Sequence, residues 1–347
     1  MRLDSTQLWI SKTLESAFNT PEGTGSNYKY LGSQNPVLML PKQEKVSDAN
    51  RVGVNAPTHL CPTYWSHPEL GVNDDVETDN PARLFRRCLG GSVTDTVVVA
   101  STVWDHTFAI LSPQVGDVLP SFNIASLLGA ASYLFAGCMV DRFKVSQKNA
   151  DRVQYEADIV GSGKFTNPHG LTGLPAFASP PCMDGFRTTI SYLDSDNVTT
   201  VDLGTLGKVI EWSIEHKNNI RRNKRRVGDT IQAPVTDSDA AHVRSMPRGK
   251  YETAIQMMVD FADLADWQRS VKNQIMTDLK FKISGPVISG VNRHEFEIIV
   301  PKFSFESVEA GEDEGDAATS LNVVALADPV TGGTITGRVR NDQATLV

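Results

Sequence analysis

The chain has 347 residues, 40% hydrophobic and 21% charged, with a formal net charge of -8. That length holds two domains and a substantial core, while the acidic balance excludes a protein that grips nucleic acid over its whole surface. The cysteines Cys61, Cys88, Cys138 and Cys182 are scattered without a CxxC pair, so they form no disulfide framework and are expected as free thiols in a reducing cytoplasm.

The opening MRLDSTQLWISKTLES has no apolar core and no small-residue cleavage site, so it is not expected to act as a signal peptide. Residues 1–27 read as an extended arm, with a short amphipathic piece around Leu8, Trp9, Ile10 and Leu14 before the turn-rich NTPEGTGSN. A strand is expected over 28–40. From Lys42 to Asn80 the text is irregular, with Pro57, Pro62 and Pro68, and a loop of that length is usually functional or interaction-bearing. NPARLFRRCLGG predicts a short helix: Asn80 as N-cap, Pro81 at the first helical position, Leu84, Phe85 and either Cys88 or Leu89 on one face, and a Gly-Gly stop. Strands are expected at 95–102 and 106–111.

Phe122 to Val140 carries no charge and is long enough to span a bilayer. Asn123, Ser126 and Ser132 interrupt it, and Gly129 and Gly137 cut it into pieces of strand size, so it reads as buried strand leading into a central hairpin. That hairpin, Gly137 to Gly163, organises the chain. Phe143 and Val145 alternate with Arg142, Lys144 and Ser146; after the turn QKNAD, Val153, Tyr155, Ala157 and Ile159 alternate with Gln154, Glu156 and Asp158. A period of two puts one apolar face on a core and one charged face in water. The hairpin is longer than usual for a compact domain, its edges need neighbours, and closing such hairpins from several chains into one barrel would supply them.

NPHGLTGLPAFASPP (167–181) is the best boundary in the sequence. It predicts an N-terminal arm and first β domain over 1–167, a Pro/Gly linker over 168–181 and a second β domain over 182–347. In the second half 185–192 is strand-like. Ile210, Trp212 and Ile214 alternate with Glu211, Ser213 and Glu215, and Ile255, Met257, Val259 and Phe261 with Glu252, Gln256 and Asp260. This repeats the hairpin design with an insertion at its tip. Leu264, Trp267, Val271 and Ile275 predict an amphipathic helix. Alternating strands come next around 279–283 and 296–306, with a last pair at 321–326 and 334–339. The two halves read as an approximate internal duplication. The expected class is mainly β, a sandwich or barrel with short flanking α-helices.

Residue patterns that signal chemistry are few. His59, Cys61 and His67 loosely resemble metal ligands, but no second cysteine or repeated spacing completes a site. There is no Walker loop, GxSxG, HExxH or Rossmann glycine run. No enzyme, metal or cofactor is expected. Two charge runs stand out: HKNNIRRNKRR (216–226) has no acid and ESVEAGEDEGD (306–316) no base. As solvated loops they need no explanation. A nucleic-acid patch in the basic run lacks interleaved aromatics. Meeting between stacked copies, the two would set register, through Arg221, Arg222, Lys224, Arg225 and Arg226 on one side and Glu309, Glu312, Asp313, Glu314 and Asp316 on the other.

Three stretches resemble the tail tube, or major tail, proteins of long-tailed bacteriophages: KTLESAFNTPEGTGSNYKYL, GCMVDRFKVSQKNADRVQYEADIVGSGK, and FEIIVPKFSFESVEAGEDEGDAATSLNVVALADPVTGGTITGRVRN. The resemblance implies long hairpins closing into a continuous barrel around a lumen, and homo-oligomeric rings stacked into the tail of the virion. Family rings present six tube units, so three duplicated chains or six single ones make a ring. The implied partners are further copies, other tail proteins and, transiently in the lumen, tape-measure protein and viral DNA, with no membrane. The lumen of such tubes is usually negative, and Gln154, Glu156, Asp158, Glu252, Gln256 and Asp260 are the candidates for that face; Lys144, Lys280 and Lys282 are basic exceptions. Other readings are a ring-forming tail terminator or baseplate hub on the same fold, and a β-sandwich glycan-binding module using Tyr64, Trp65 and Trp104.

Overall fold

A computed structural model describes residues 6–34, 46–48, 59–61, 68–100, 102–112, 118–128, 131–149, 151–176, 180–194, 198, 200–203, 209–221, 246–260, 275–313, 316–328 and 333–344. In chain order the elements are β1 (Gln7–Ser11), β2 (Tyr28–Tyr30), β3 (Val46–Asp48), β4 (His59–Cys61), β5 (Glu69–Asp75), α1 (Asn80–Leu89), β6 (Gly90–Val99), β7 (Val103–Ile110), β8 (Phe122–Leu128), β9 (Ala131–Lys148) and β10 (Gln154–Val160). After these come β11 (Phe165–Thr166), β12 (Thr188–Leu193), β13 (Thr200–Asp202), β14 (Val209–Lys217), β15 (Glu252–Asp260), β16 (Met276–Ser289), β17 (Asn292–Asp313), β18 (Asp316–Leu326) and β19 (Thr336–Asn341). The class is mainly β, as the alternation predicts. All of the expected helix at 263–275 except Ile275 lies outside the described residues.

One antiparallel series, here the inner sheet, runs β5-β10-β9-β14-β15-β18-β17. The two long strands leave it through their N-terminal halves. Residues 131–138 of β9 pair with β8, and 134–135 also with β11, while residues 292–303 of β17 pair with β16 and 295–299 also with β19. Each strand switches near a register break, between Asp158/Ile159 on the β9–β10 side and between Phe305/Ser307 in β17–β18. An extra residue on one strand bends it, which lets it serve two sheets.

A second layer extends from β17 through β19 and β7 to β6 on one side, and through β16 and β12 to β13 on the other. It packs on the inner sheet, with the Trp212 ring of β14 5.1 Å from Phe281 of β16. Helix α1 wedges into the same core. Phe85 stacks on Phe143 of β9 at 5.0 Å and meets Phe108 of β7 and Phe296 of β17 edge-on at 5.7 and 5.8 Å. The helix begins one residue earlier than its composition predicts: Asp79, not Asn80, is the N-cap, and its carboxylate bonds Arg83 Nε at 2.7 Å instead of capping the backbone. At the other end Gly90 takes φ +73° and returns its N–H to Arg86 O, the expected glycine stop.

Two expectations are overturned. The central hairpin has neighbours from its own chain on both sides: β5 pairs along β10 from Gln154↔Asp75 to Val160↔Glu69, and β14 pairs along β9. The alternation shows that a strand has one wet face; it does not show which strand lies beside it. The acidic run is also no loop. β17 continues to Asp313, β18 starts at Asp316, and the ladder holds through Glu309↔Ser320, Glu312↔Ala317 and Asp313↔Asp316.

The described strands contain a repeat that the sequence matched differently. In the inner sheet β5-β10-β9 and β15-β18-β17 succeed each other in the same order and the same directions, with β14 between them. In the chain, β5 is followed by α1, by the additional hairpin β6–β7, and then by β8, β9 and β10, while β15 is followed by 261–274 and then by β16, β17 and β18. So β9–β10 corresponds to β17–β18, not to β14–β15. Strands from either side of residues 168–181 pair directly, β9 with β14 and β7 with β19.

Candidate functional surface

The solvent face of the inner sheet gathers the residues expected to line a channel. Register brings both hairpins onto common rungs. One rung reads Asp158, Arg142, Lys217, Glu252; the next Glu156, Lys144, Glu215, Ala254; the next Gln154, Ser146, Ser213, Gln256. Asp260 stands beyond them, opposite Ala318. Strict alternation makes this possible: Tyr155, Ala157, Phe143, Val145, Trp212, Ile214, Ile255 and Met257 point into the core from the same strands. At the Val160 end the face is bounded by a small apolar cluster of Leu119, Met139, Val160, Ile220 and Met246.

The charges on this face are largely held by one another. Arg142 reaches Glu156 at 2.9 Å, Asp158 at 3.4 Å and Glu215 at 3.1 Å, and Lys217 reaches the same Glu215 oxygen at 2.5 Å. Partial burial works against the Arg142 charge, but Glu215, Asp158 and Glu156 outweigh it and hold the guanidinium above its ordinary pKa. Burial likewise opposes ionisation of Glu215, but Lys217 and Arg142 hold it below the usual carboxylate range. Acids still outnumber bases: Asp75, Glu156, Asp158, Glu211, Glu215, Glu252 and Asp260 face Arg142, Lys144, Lys148 and Lys217. The surface is therefore acidic, with Arg142 and Lys217 held in ion pairs and a rung of uncharged Gln and Ser beside them. A polyanion passing over it meets net repulsion, with Lys144 and Lys148 outnumbered by the carboxylates around them.

Lys280 and Lys282, the other basic exceptions, lie elsewhere. They sit on β16 in the second layer, where Lys282 bonds Glu295 at 2.7 Å. The candidate stacking residues fall at two ends of the inner sheet. Arg221 is exposed just past β14, at the end where Lys217 pairs with Arg142. Glu309, Glu312, Asp313 and Asp316 lie on the β17–β18 arm at the opposite end. Arg222, Lys224, Arg225, Arg226 and Glu314 lie outside the described residues, as do His67, Tyr64 and Trp65. The Cys88 and Cys138 thiols are buried and free, and Cys182 is free and exposed. Among the described residues no group of three or more His, Cys, Asp or Glu is placed to hold a metal ion, and no helix is long and apolar enough to cross a membrane.

A feature that sequence reasoning missed is a cleft of about 510 Å³ lined by Arg152, Arg187 and Arg293 together with Cys182, Asp184 and Phe186. These residues come from distant parts of the chain, and no spacing announces them. Comparison with protein-family models and with curated proteins returns no match.

Proposed function

We propose that this chain is a structural subunit of a bacteriophage tail tube, which assembles into rings and stacks them into a channel for DNA. The observation that carries this reading is the repeat within one sheet, β5-β10-β9 followed by β15-β18-β17. A unit that follows itself in the same strand order and direction can be continued by further copies, and the series forms a ring where its rotation closes. The chain holds two such units, so three chains present six. The sheet has margins left for this: β5 and the distal half of β17 each have a partner strand on one side only among the described residues. The acid-rich face, with Arg142 and Lys217 held in ion pairs, suits the inside of that ring. A tail terminator or baseplate hub would use the same ring without extending it.

Negative-stain microscopy of the purified chain tests the proposal, with annuli of three-fold symmetry, singly or stacked, as the expected result. Particles that remain single copies at high concentration would remove it; rings that never stack would favour the terminator or hub. The lumen assignment has its own test in phage carrying Glu156→Lys and Asp158→Lys. Those changes place free cations where DNA passes, so infectious titre per particle should fall while particle yield holds. Unchanged infectivity would take these residues out of the channel.

A further inference from the structure

The arginine cleft lies at the β5 margin of the inner sheet. Arg152 Nη1 bonds Asp75, the last residue of β5, at 2.6 Å, and Cys182 bridges Glu77 just beyond it. The acidic β17–β18 arm lies at the other margin, since β17 ends the strand series among the described residues. Both are at the same end of the strands: Arg152 follows the β9–β10 turn, and the arm rises past Asp260↔Ala318, the last pairing between β15 and β18. Two identical sheets set side by side in a ring bring one copy's arm to the next copy's cleft.

The chemistry of the two surfaces matches. Three guanidinium groups and a single carboxylate line the cleft. Arg152 spends Nη1 on Asp75, Arg187 places Nε 3.4 Å from Asp184, and Arg293 donates from Nη1 to Gly285 O at 3.3 Å. A guanidinium carries five N–H donors, so each has donors left for an incoming carboxylate. The Arg187–Asp184 pair is about half exposed on both sides and contributes little that a new partner would have to replace. At the rim Phe186 is 80% exposed and Val287 48%. The arm answers with carboxylates at Glu306, Glu309, Glu312, Asp313 and Asp316, no base, and small apolar residues Val308, Ala310 and Ala317 between them.

We infer that the acidic β17–β18 arm of one copy docks in the Arg152–Arg187–Arg293 cleft of the next, a lateral contact that closes the ring. It rests on the ring reading above and gives the acidic run a lateral role in place of the axial one that its charge alone implies. The contact is heterologous, a different surface on each partner, so it propagates around an axis and stops when the ring is complete. Charge fixes the register and disfavours cleft-to-cleft or arm-to-arm encounters.

The test is a charge exchange in the full chain. One variant carries Arg187→Glu and Arg293→Glu; Arg152 is left in place because it holds Asp75. The other carries Glu309→Lys, Glu312→Lys and Asp316→Lys. By sedimentation velocity each alone should need at least about tenfold more protein to assemble, and a chain carrying both sets together should assemble like the parent, because every junction of a three-chain ring then pairs opposite charges. Thermal unfolding of each variant confirms that it is folded. If either fails to fold, a synthetic 304–318 peptide should inhibit assembly of the parent chain, and the same peptide with lysine at its acidic positions should not. A parent that forms rings indifferent to both reversals and to the peptide, or a combined variant that assembles no better than either set alone, would overturn the contact and leave the ring standing. A parent that never assembles would overturn both.

Discussion

Replacing Phe85 with alanine should lower the free energy of unfolding by about 3–5 kcal/mol. The side chain is 1% exposed and touches Phe108, Phe143 and Phe296, so it joins α1 to the inner sheet through β9 and to the second layer through β7 and β17. Removing the ring leaves a void that three aromatic neighbours on different strands cannot fill together, because each is held by its own ladder. Domains are stable by only about 5–15 kcal/mol, so the variant should unfold at much lower urea concentration. Phe85→Leu keeps more of the volume and should lose less. An alanine variant within about 1 kcal/mol of the parent would mean that α1 is a passenger on the sheets and not the wedge between them.

The second large effect is a pH dependence centred on Glu77. This carboxyl is 8% exposed. Burial pushes its pKa up to about 7 despite hydrogen bonds from Asn80 and the nearby charge of Lys29. Its folded value lies above its ordinary value of 4.5, so the folded chain binds the extra proton between those limits. The stability linked to that proton is full below about pH 4.5 and is lost as pH rises through about 7. Above that the fold carries a buried anion at a cost of about 3 kcal/mol. Glu77→Gln should recover that amount at pH 8 and nothing at pH 4, by urea denaturation at each pH. Lys29, which burial lowers to about 8, loses an attractive neighbour in the same variant, so about 3 kcal/mol is a ceiling. Parallel stability curves for parent and variant from pH 4 to 8 would show that the carboxylate is solvated after all.

Local pattern carried the strands and the charged face, and little else. Phe143, Val145, Tyr155, Ala157, Trp212, Ile214, Ile255 and Met257 are buried because they alternate, and the same alternation placed Gln154, Glu156, Asp158, Glu252 and Gln256 together on the wet side. The helix was legible from Pro81 and Gly90, give or take its first residue. What could not be read was which strand lies beside which. The β5 that covers β10 comes from a stretch of Asn, Asp and Gly read as irregular, and its seven residues are strand because β10 supplies the ladder. The acidic arm fails for a similar reason: Glu, Gly, Asp and Ala show no apolar alternation, yet β17 and β18 run on through them once their first rungs are in register. The arginine cleft was hidden by distance in the chain, since only the β16–β12 pairing and the β9–β10 turn bring Arg293, Arg187 and Arg152 to one place.

The pairing of β7 with β19 has a consequence for synthesis. Arg338 on β19 bonds Asp105 on β7 at 2.7 Å across 233 residues of sequence. A ribosome adding roughly 5–20 residues per second needs on the order of 10–50 s to bridge that interval. Throughout it the early hairpin of β6 and β7 waits with one bare margin, and β6 carries exposed Val97, Val98 and Val99 on the other. The nascent chain therefore passes through a window in which it is prone to pair with the wrong strand, and a chaperone that shields extended valine-rich segments should raise the yield of folded protein.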